Sequence, residues 1–147
     1  MNAKDFLETV LKKRRKVRRM EESLEENTAR AEAVTGLKLA EKVQTSTQTT
    51  IDMTLASLEE EKQRLEKAQK ELGELLERAK EVINLIRDDE TAWQILWHRY
   101  IMGETWGAIS ARMHYSRTSL FLKEREACRL LDERLKMFNF PLLFSKD

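Results

Sequence analysis

Three observations predict an all-α fold, in which a long antiparallel coiled-coil hairpin is followed by a C-terminal helix-turn-helix domain. Apolar residues recur at 3-4 spacing along two long stretches, the pattern of one helical stripe. One Pro and four Gly among 147 residues leave few helix breakers, and a charged fraction of 36 % suits exposed helices. All three Trp, both Tyr and both His fall between residues 91 and 115, which marks the compact part of the chain.

The first stripe passes through Phe6, Val10, Lys13, Val17, Met20, Leu24, Asn27, Ala31 and Val34. Lys13 and Asn27 are polar intruders that fix register or partner at a cost in stability. A bend or pause is expected at Gly36, and the helix ends near Lys42. Residues 43–50, reading VQTSTQTT, form the expected connector, because small polar and β-branched residues disfavour helix. A second stripe then takes Ile51, Leu55, Leu58, Lys62, Leu65, Gln69, Leu72, Leu76, Ala79, Ile83 and Ile86, widened late by Leu75 and Val82. Folding back about the connector sets the basic block Lys12, Lys13, Arg14, Arg15, Lys16, Arg18 and Arg19 alongside Glu74, Glu77 and Glu81. Glu21, Glu22, Glu25 and Glu26 then fall near Lys67 and Lys70, so blockwise charge selects the antiparallel sense. This arm spans 1–87, and a second domain spans 88–147.

In that second domain Asp88, Asp89 and Glu90 suit a helix N-terminus, and Trp93, Leu96, Trp97, Tyr100 and Ile101 give the helix its apolar face up to Gly103. Thr105 caps a short helix that turns Trp106, Ile109 and Met113 inward. After a turn at His114 and Tyr115, Ser116 caps a longer helix through Leu120, Glu124, Ala127, Leu131 and Leu135, stopped by Asn139 and Pro141. Short helix, tight turn and longer helix is the arrangement in which the second helix enters the DNA major groove and the first braces it across the backbone.

Other chemistries find no footing. There is no Gly-rich phosphate loop, nucleophile elbow or carboxylate pair apart from surface helical charge, so the reading is a non-enzyme without a cofactor. His98, His114 and Cys128 do not make a metal spacing. The lone Cys128, the charged opening and the lack of an apolar run of about 20 residues point to a cytoplasmic protein with no membrane partner. Twenty-seven Lys plus Arg against 26 Asp plus Glu make the net charge uninformative, so only its local distribution counts.

Arg99, Tyr100, Gly103, Trp106, Ile109, Tyr115 and Ser116 fall in register with a known motif. Over residues 92–135 the chain resembles the promoter-reading C-terminal domain of bacterial sigma factors, and more closely the sigma-like phage transcriptional regulators of the RinA and ArpU type. The resemblance implies a sequence-specific regulator of duplex DNA in a bacterial host cell, with RNA polymerase as a further partner; a homodimer is also admitted. Arg117, Thr118 and Ser119 are then expected at base edges, with Phe121 and Leu122 beside them, and Lys123, Arg125 and Arg129 at phosphates. Thr105, Trp106, Arg112, Tyr115 and Ser116 are expected along the DNA backbone. Two departures stand out: Leu122 and Lys123 exchange the polar and apolar positions usual in the family, and His114 replaces the Gly its turn prefers.

Trp93, Trp97 and Trp106 are expected as core anchors. The basic block 12–19 is expected to be solvated and partly paired, with a second nucleic-acid contact as the alternative. The apolar tail Phe138, Phe140, Leu142, Leu143 and Phe144 is expected to fold back on the arm. The rival functional reading is a structural or DNA-packaging coiled-coil protein of the small-terminase kind, although such proteins usually place the DNA-binding part first.

Overall fold

The computed structural model describes residues 1–40 and 45–142, with side chains at 1–33 and 50–142. The chain is all-helical, with no strand among the described residues. Helix α1 spans Ala3–Ala40, and Asn2 caps it by accepting the Asp5 amide at 2.8 Å. The pause expected at Gly36 does not occur, α1 being helical through to Ala40. Helix α2 spans Thr45–Ile83, so residues 45–50 of the expected connector are helical, while Val43 and Gln44 lie outside the described residues. Ser and Thr each cost under about 0.7 kcal/mol in a helix, and propagation from a nucleated helix gains one hydrogen bond per residue. A short polar run is therefore a weak stop.

Contacts divide the chain into two compact units, Met1–Lys13 with Gly73–Asp147, and Arg14–Leu72. The boundary expected at residue 87 lies inside the first of these. The reason is visible in the width of the apolar stripes. Phe6, Leu7, Val10 and Leu11 are adjacent pairs one turn apart, a face wide enough to enter a core with several neighbours, and all four are buried. Beyond them α1 keeps only a narrow seam, and α2 shows the reverse progression, narrow first and wide later.

In the second unit Val17, Leu65 and Ala68 are buried together, with Met20, Leu24 and Leu72 packed against them. Gln69 donates to Glu21 at 3.1 Å, and Asn27 donates to both oxygens of Glu61 at 3.0 and 3.1 Å. Partners thus descend along α2 as they ascend along α1. The polar intruder Asn27 has a carboxylate as its match, which ties one register. Lys62 and Gln69, placed on the seam by spacing, are exposed, and Leu55 is 55 % exposed.

The first unit gathers Ala79, Val82, Ile83 and Ile86 with the start of α1, and with Ala92, Leu96, Tyr100, Ala127, Cys128, Leu131 and Leu135. Each fully buried Leu, Ile or Phe of such a cluster contributes roughly 1.5–3 kcal/mol. A 3-10 turn at Asn84–Ile86 leads to α3 (Glu90–Leu96), capped by Asp89, whose side chain accepts the Ala92 amide. Arg134 holds Asp88 through two 2.9 Å bonds and reaches the Leu85 carbonyl. Those Arg134 hydrogen bonds, chiefly, lower the Asp88 carboxyl below its usual range.

The helix expected to run on to Gly103 instead widens into a π turn, Trp97–Ile101, in which the Met102 amide reaches the Trp97 carbonyl at 3.0 Å. That extra residue accompanies full burial of Tyr100, next to a stacked Trp93–Trp97 pair at 4.9 Å. Helices α4 (Trp106–Met113) and α5 (Arg117–Met137) complete the unit. Of the apolar tail, Phe140 and Leu142 pack on the core and Arg78 lies over the Phe140 ring at 4.5 Å. Phe138 instead stays 56 % exposed, and Leu143 and Phe144 lie outside the described residues.

Candidate nucleic-acid interface

Local sequence sets the turn between α4 and α5. Thr105 accepts the Ala108 amide and Ser116 accepts the Ser119 amide, each at 3.1 Å, so both helices start where a capping side chain satisfies an orphan donor. His114 carries the reversal in the left-handed region at φ 59°, ψ 33°, a conformation that His tolerates better than most side chains. The Ser110 hydroxyl donates to the Tyr115 carbonyl at 2.5 Å and closes the turn. Beneath it Ile95, Ile109 and Leu120 are fully buried, covered by Trp106, Met113 and Tyr115.

Gly103 sits at φ 71°, where a Cβ is strained. Replacing it with Ala is expected to cost about 1–2 kcal/mol, the penalty of a left-handed L-residue, read as a lowered thermal midpoint.

On α5 the residues divide by face. Leu120, Ala127 and Leu131 point into the core, while Arg117, Thr118, Phe121, Leu122, Arg125 and Arg129 are exposed. Phe121, 47 % exposed, stands edge-on to Trp106 at 5.4 Å, so an aromatic pair bridges α4 and α5. Leu122 is 55 % exposed, an apolar side chain on a face it shares with exposed Arg125, Glu126 and Arg129. Ser119 is half-buried. Lys123, also half-buried, lays its ammonium over the Tyr115 ring at 4.8 Å, which draws both residues toward the turn.

Arg117 reaches back to α4, so that a Cβ added at Gly107 would come within 3.1 Å of its guanidinium. The Thr105 hydroxyl is committed to its cap. Arg112 is half-exposed and already holds the Glu104 carboxylate and the His98 ring, each at 2.7 Å. Arg99 donates to the Glu104 carbonyl at 3.0 Å and lies over Trp106 at 5.0 Å. The turn therefore presents cations of which Arg112 and Arg99 are partly spent on Glu104.

Sequence reasoning missed what braces α5 from behind. Glu124, 7 % exposed, is paired with Lys4 and accepts the Tyr100 hydroxyl at 2.5 Å, while Lys4 also donates to Tyr100 at 2.8 Å. Two helical turns further along, Asp132 accepts the Ala3 amide at 2.8 Å. Burial pulls the Lys4 ammonium down, and the carboxylates of Glu124 and Glu8 more than offset it, leaving a net rise. Burial, then Glu124, pushes the Tyr100 phenol well up, and the same two causes push the Cys128 thiol up to about 12. Cys128 is thus a protonated, packed thiol near neutral pH.

No group of His, Cys, Asp and Glu able to hold a metal ion occurs among the described residues, and none of the described helices is long and apolar enough to cross a membrane. No protein-family model, curated protein or solved structure matches the chain.

Proposed function

We propose that this protein binds duplex DNA through α4 and α5 acting as a helix-turn-helix, and that it is a non-enzymatic transcriptional regulator of the sigma-like phage type. The observation that carries the reading is α5 itself. It is a capped helix held on a buried stripe, with Arg117, Thr118, Phe121, Leu122, Arg125 and Arg129 exposed along its outer side. An exposed Arg and Thr in the first turn is the chemistry that reads guanine edges and thymine methyls, and the cations further on suit phosphates. In this reading Ser119 and Lys123 sit at the margin of the contact, and Thr105, Trp106, Arg112, Tyr115 and Ser116 flank the backbone. The α1 and α2 pairing forms an antiparallel coiled-coil hairpin that serves assembly or contact with RNA polymerase in the cytoplasm of a bacterial host.

Sequencing the DNA cross-linked to the protein in cells gives the preferred site. On that site Arg117→Ala is expected to cost about 1–3 kcal/mol and to relax preference at one position. Equal weakening on every sequence would demote Arg117 to a phosphate contact, and recovery of DNA without any common site would overturn sequence-specific regulation. Mass in solution separates the packaging alternative, which requires a large ring, from a regulator that is a monomer or dimer.

A further inference from the structure

We propose that the Arg14–Leu72 unit carries a second contact for the DNA phosphate backbone, built from Arg15, Lys16 and Arg19 of α1 and Arg64 of α2. The inference rests on the reading of the chain as duplex-binding and adds a surface that the helix-turn-helix does not include. A surface recess lies between Lys16 and Arg19 on one helix and Glu61 and Arg64 on the other. It sets three cations against one carboxylate, and both oxygens of that carboxylate are held by Asn27. Glu21, the next acid along α1, accepts from Gln69. Glu61 and Glu21 are thus hydrogen-bonded to amides, while Glu22 and Glu60 stand exposed within about one turn of Arg19 and Arg64. Arg15, Lys16, Arg19 and Arg64 are exposed, and Arg18 makes only a 3.4 Å pair with Glu22 at the surface.

The chemistry of the face selects its partner. Apart from half-buried Met20 it offers no large apolar side chain, so a protein partner would find no anchor of the kind that supplies most binding energy between proteins. Association with a nucleic-acid backbone needs none, because counterion release drives it and such interfaces are polar and cationic. Arg15 and Arg19 are four residues apart, about 6 Å along the helix axis, close to the ~6.8 Å rise of two nucleotides in one strand. The exposed acids Glu22, Glu25 and Glu26 follow at once and confine the contact to a few phosphates.

The test is fluorescence anisotropy of a labelled duplex of unrelated sequence with the full chain, over about 50–200 mM salt. Four proteins are compared: the natural chain, Arg15→Gln/Lys16→Gln/Arg19→Gln/Arg64→Gln, Arg117→Gln/Arg125→Gln/Arg129→Gln, and the charge-keeping Arg15→Lys/Arg19→Lys/Arg64→Lys. At about 0.9 per phosphate contact, the first variant should make the slope of log K against log salt shallower by roughly 3–4. Arg15→Lys/Arg19→Lys/Arg64→Lys should keep the natural slope, which separates charge from folding. An unchanged slope in the Gln variant, with a reduced one in the α5 variant, would overturn the second contact and leave the proposed function standing. No binding by the natural chain would overturn both. Self-association at low salt that the Gln variant abolishes, with its DNA slope unchanged, would make a second copy the occupant of the patch and likewise overturn the proposal.

Discussion

Replacing Lys4 with Met is expected to destabilise the protein by roughly 2–3 kcal/mol, measured by denaturant unfolding. Removing one partner of a fully buried pair costs about 3–5 kcal/mol. The lower figure applies because the Lys4 side chain keeps 41 % exposure while that of Glu124 keeps 9 %. The asymmetry is the informative part. Without Lys4, Glu124 loses its cationic partner and depends on the Tyr100 hydroxyl. Without Glu124, Lys4 can turn to water and to Glu8, which lies 3.1 Å away. Glu124→Leu should therefore cost less than Lys4→Met, and the double replacement should recover part of the loss. Equal costs for the two single variants, adding without coupling in the double, would show that the pair contributes only packing.

Alkaline pH is expected to unfold the protein in a defined order. Three groups hold their protons more tightly in the native state than their ordinary values allow: Cys128 at about 12 against 9.0, Tyr100 above 10.0 and Lys4 above 10.5. Above each ordinary value the native chain binds more protons than the unfolded one, so stability is fully present below pH 9 and falls as pH rises. Each buried group contributes a slope of up to about 1.4 kcal/mol per pH unit. Cys128 opens the window at pH 9, and Tyr100 adds to it from pH 10. The groups facing them across the core are Glu124, Glu8 and Asp132 together with Lys4 itself. Cys128→Ala should delay the onset by about one pH unit, to the ordinary value of tyrosine. An onset that stays at pH 9 in that variant would assign the loss to another group.

The same residues show how far sequence reasoning reaches. Features set within one helical turn were legible: Thr105 and Ser116 cap the helices they were expected to cap, and Asp89, one of three acids expected at a helix N-terminus, caps α3, because a capping side chain and its amide lie three residues apart. The division of α5 into an inner stripe and an outer face followed from 100° per residue. The π turn was not legible, since the spacing of Trp93, Leu96, Trp97 and Tyr100 suits an ordinary helix and only packing selects the wider turn. Nor was the role of Lys4, which meets Glu124 across 120 residues. One signal did stand in the sequence, an acid at 124 on an otherwise apolar stripe, which calls for a buried cation. Another was the pair of doublets Phe6-Leu7 and Val10-Leu11, too wide for a two-helix seam. Glu77 and Glu81, expected alongside the basic block, pair with Lys80 and Arg78 on their own helix.

The first turns of α1 belong to a core completed only near the other end of the chain, and this sets the timetable of folding. The Ala3–Asp132 bond spans 129 positions, and closing a loop of that length costs about 4 kcal/mol of chain entropy before any contact rewards it. During synthesis at about 5–20 residues per second, Phe6, Leu7 and Val10 wait roughly 6–26 s for α5 to emerge, which exposes an apolar patch to any chaperone or to neighbouring nascent chains. A chain begun at residue 14 never receives that face, so α3 to α5 are left with an open side where α1 should lie. Such a truncated chain should be the aggregation-prone form, even though every residue of α4 and α5 is present.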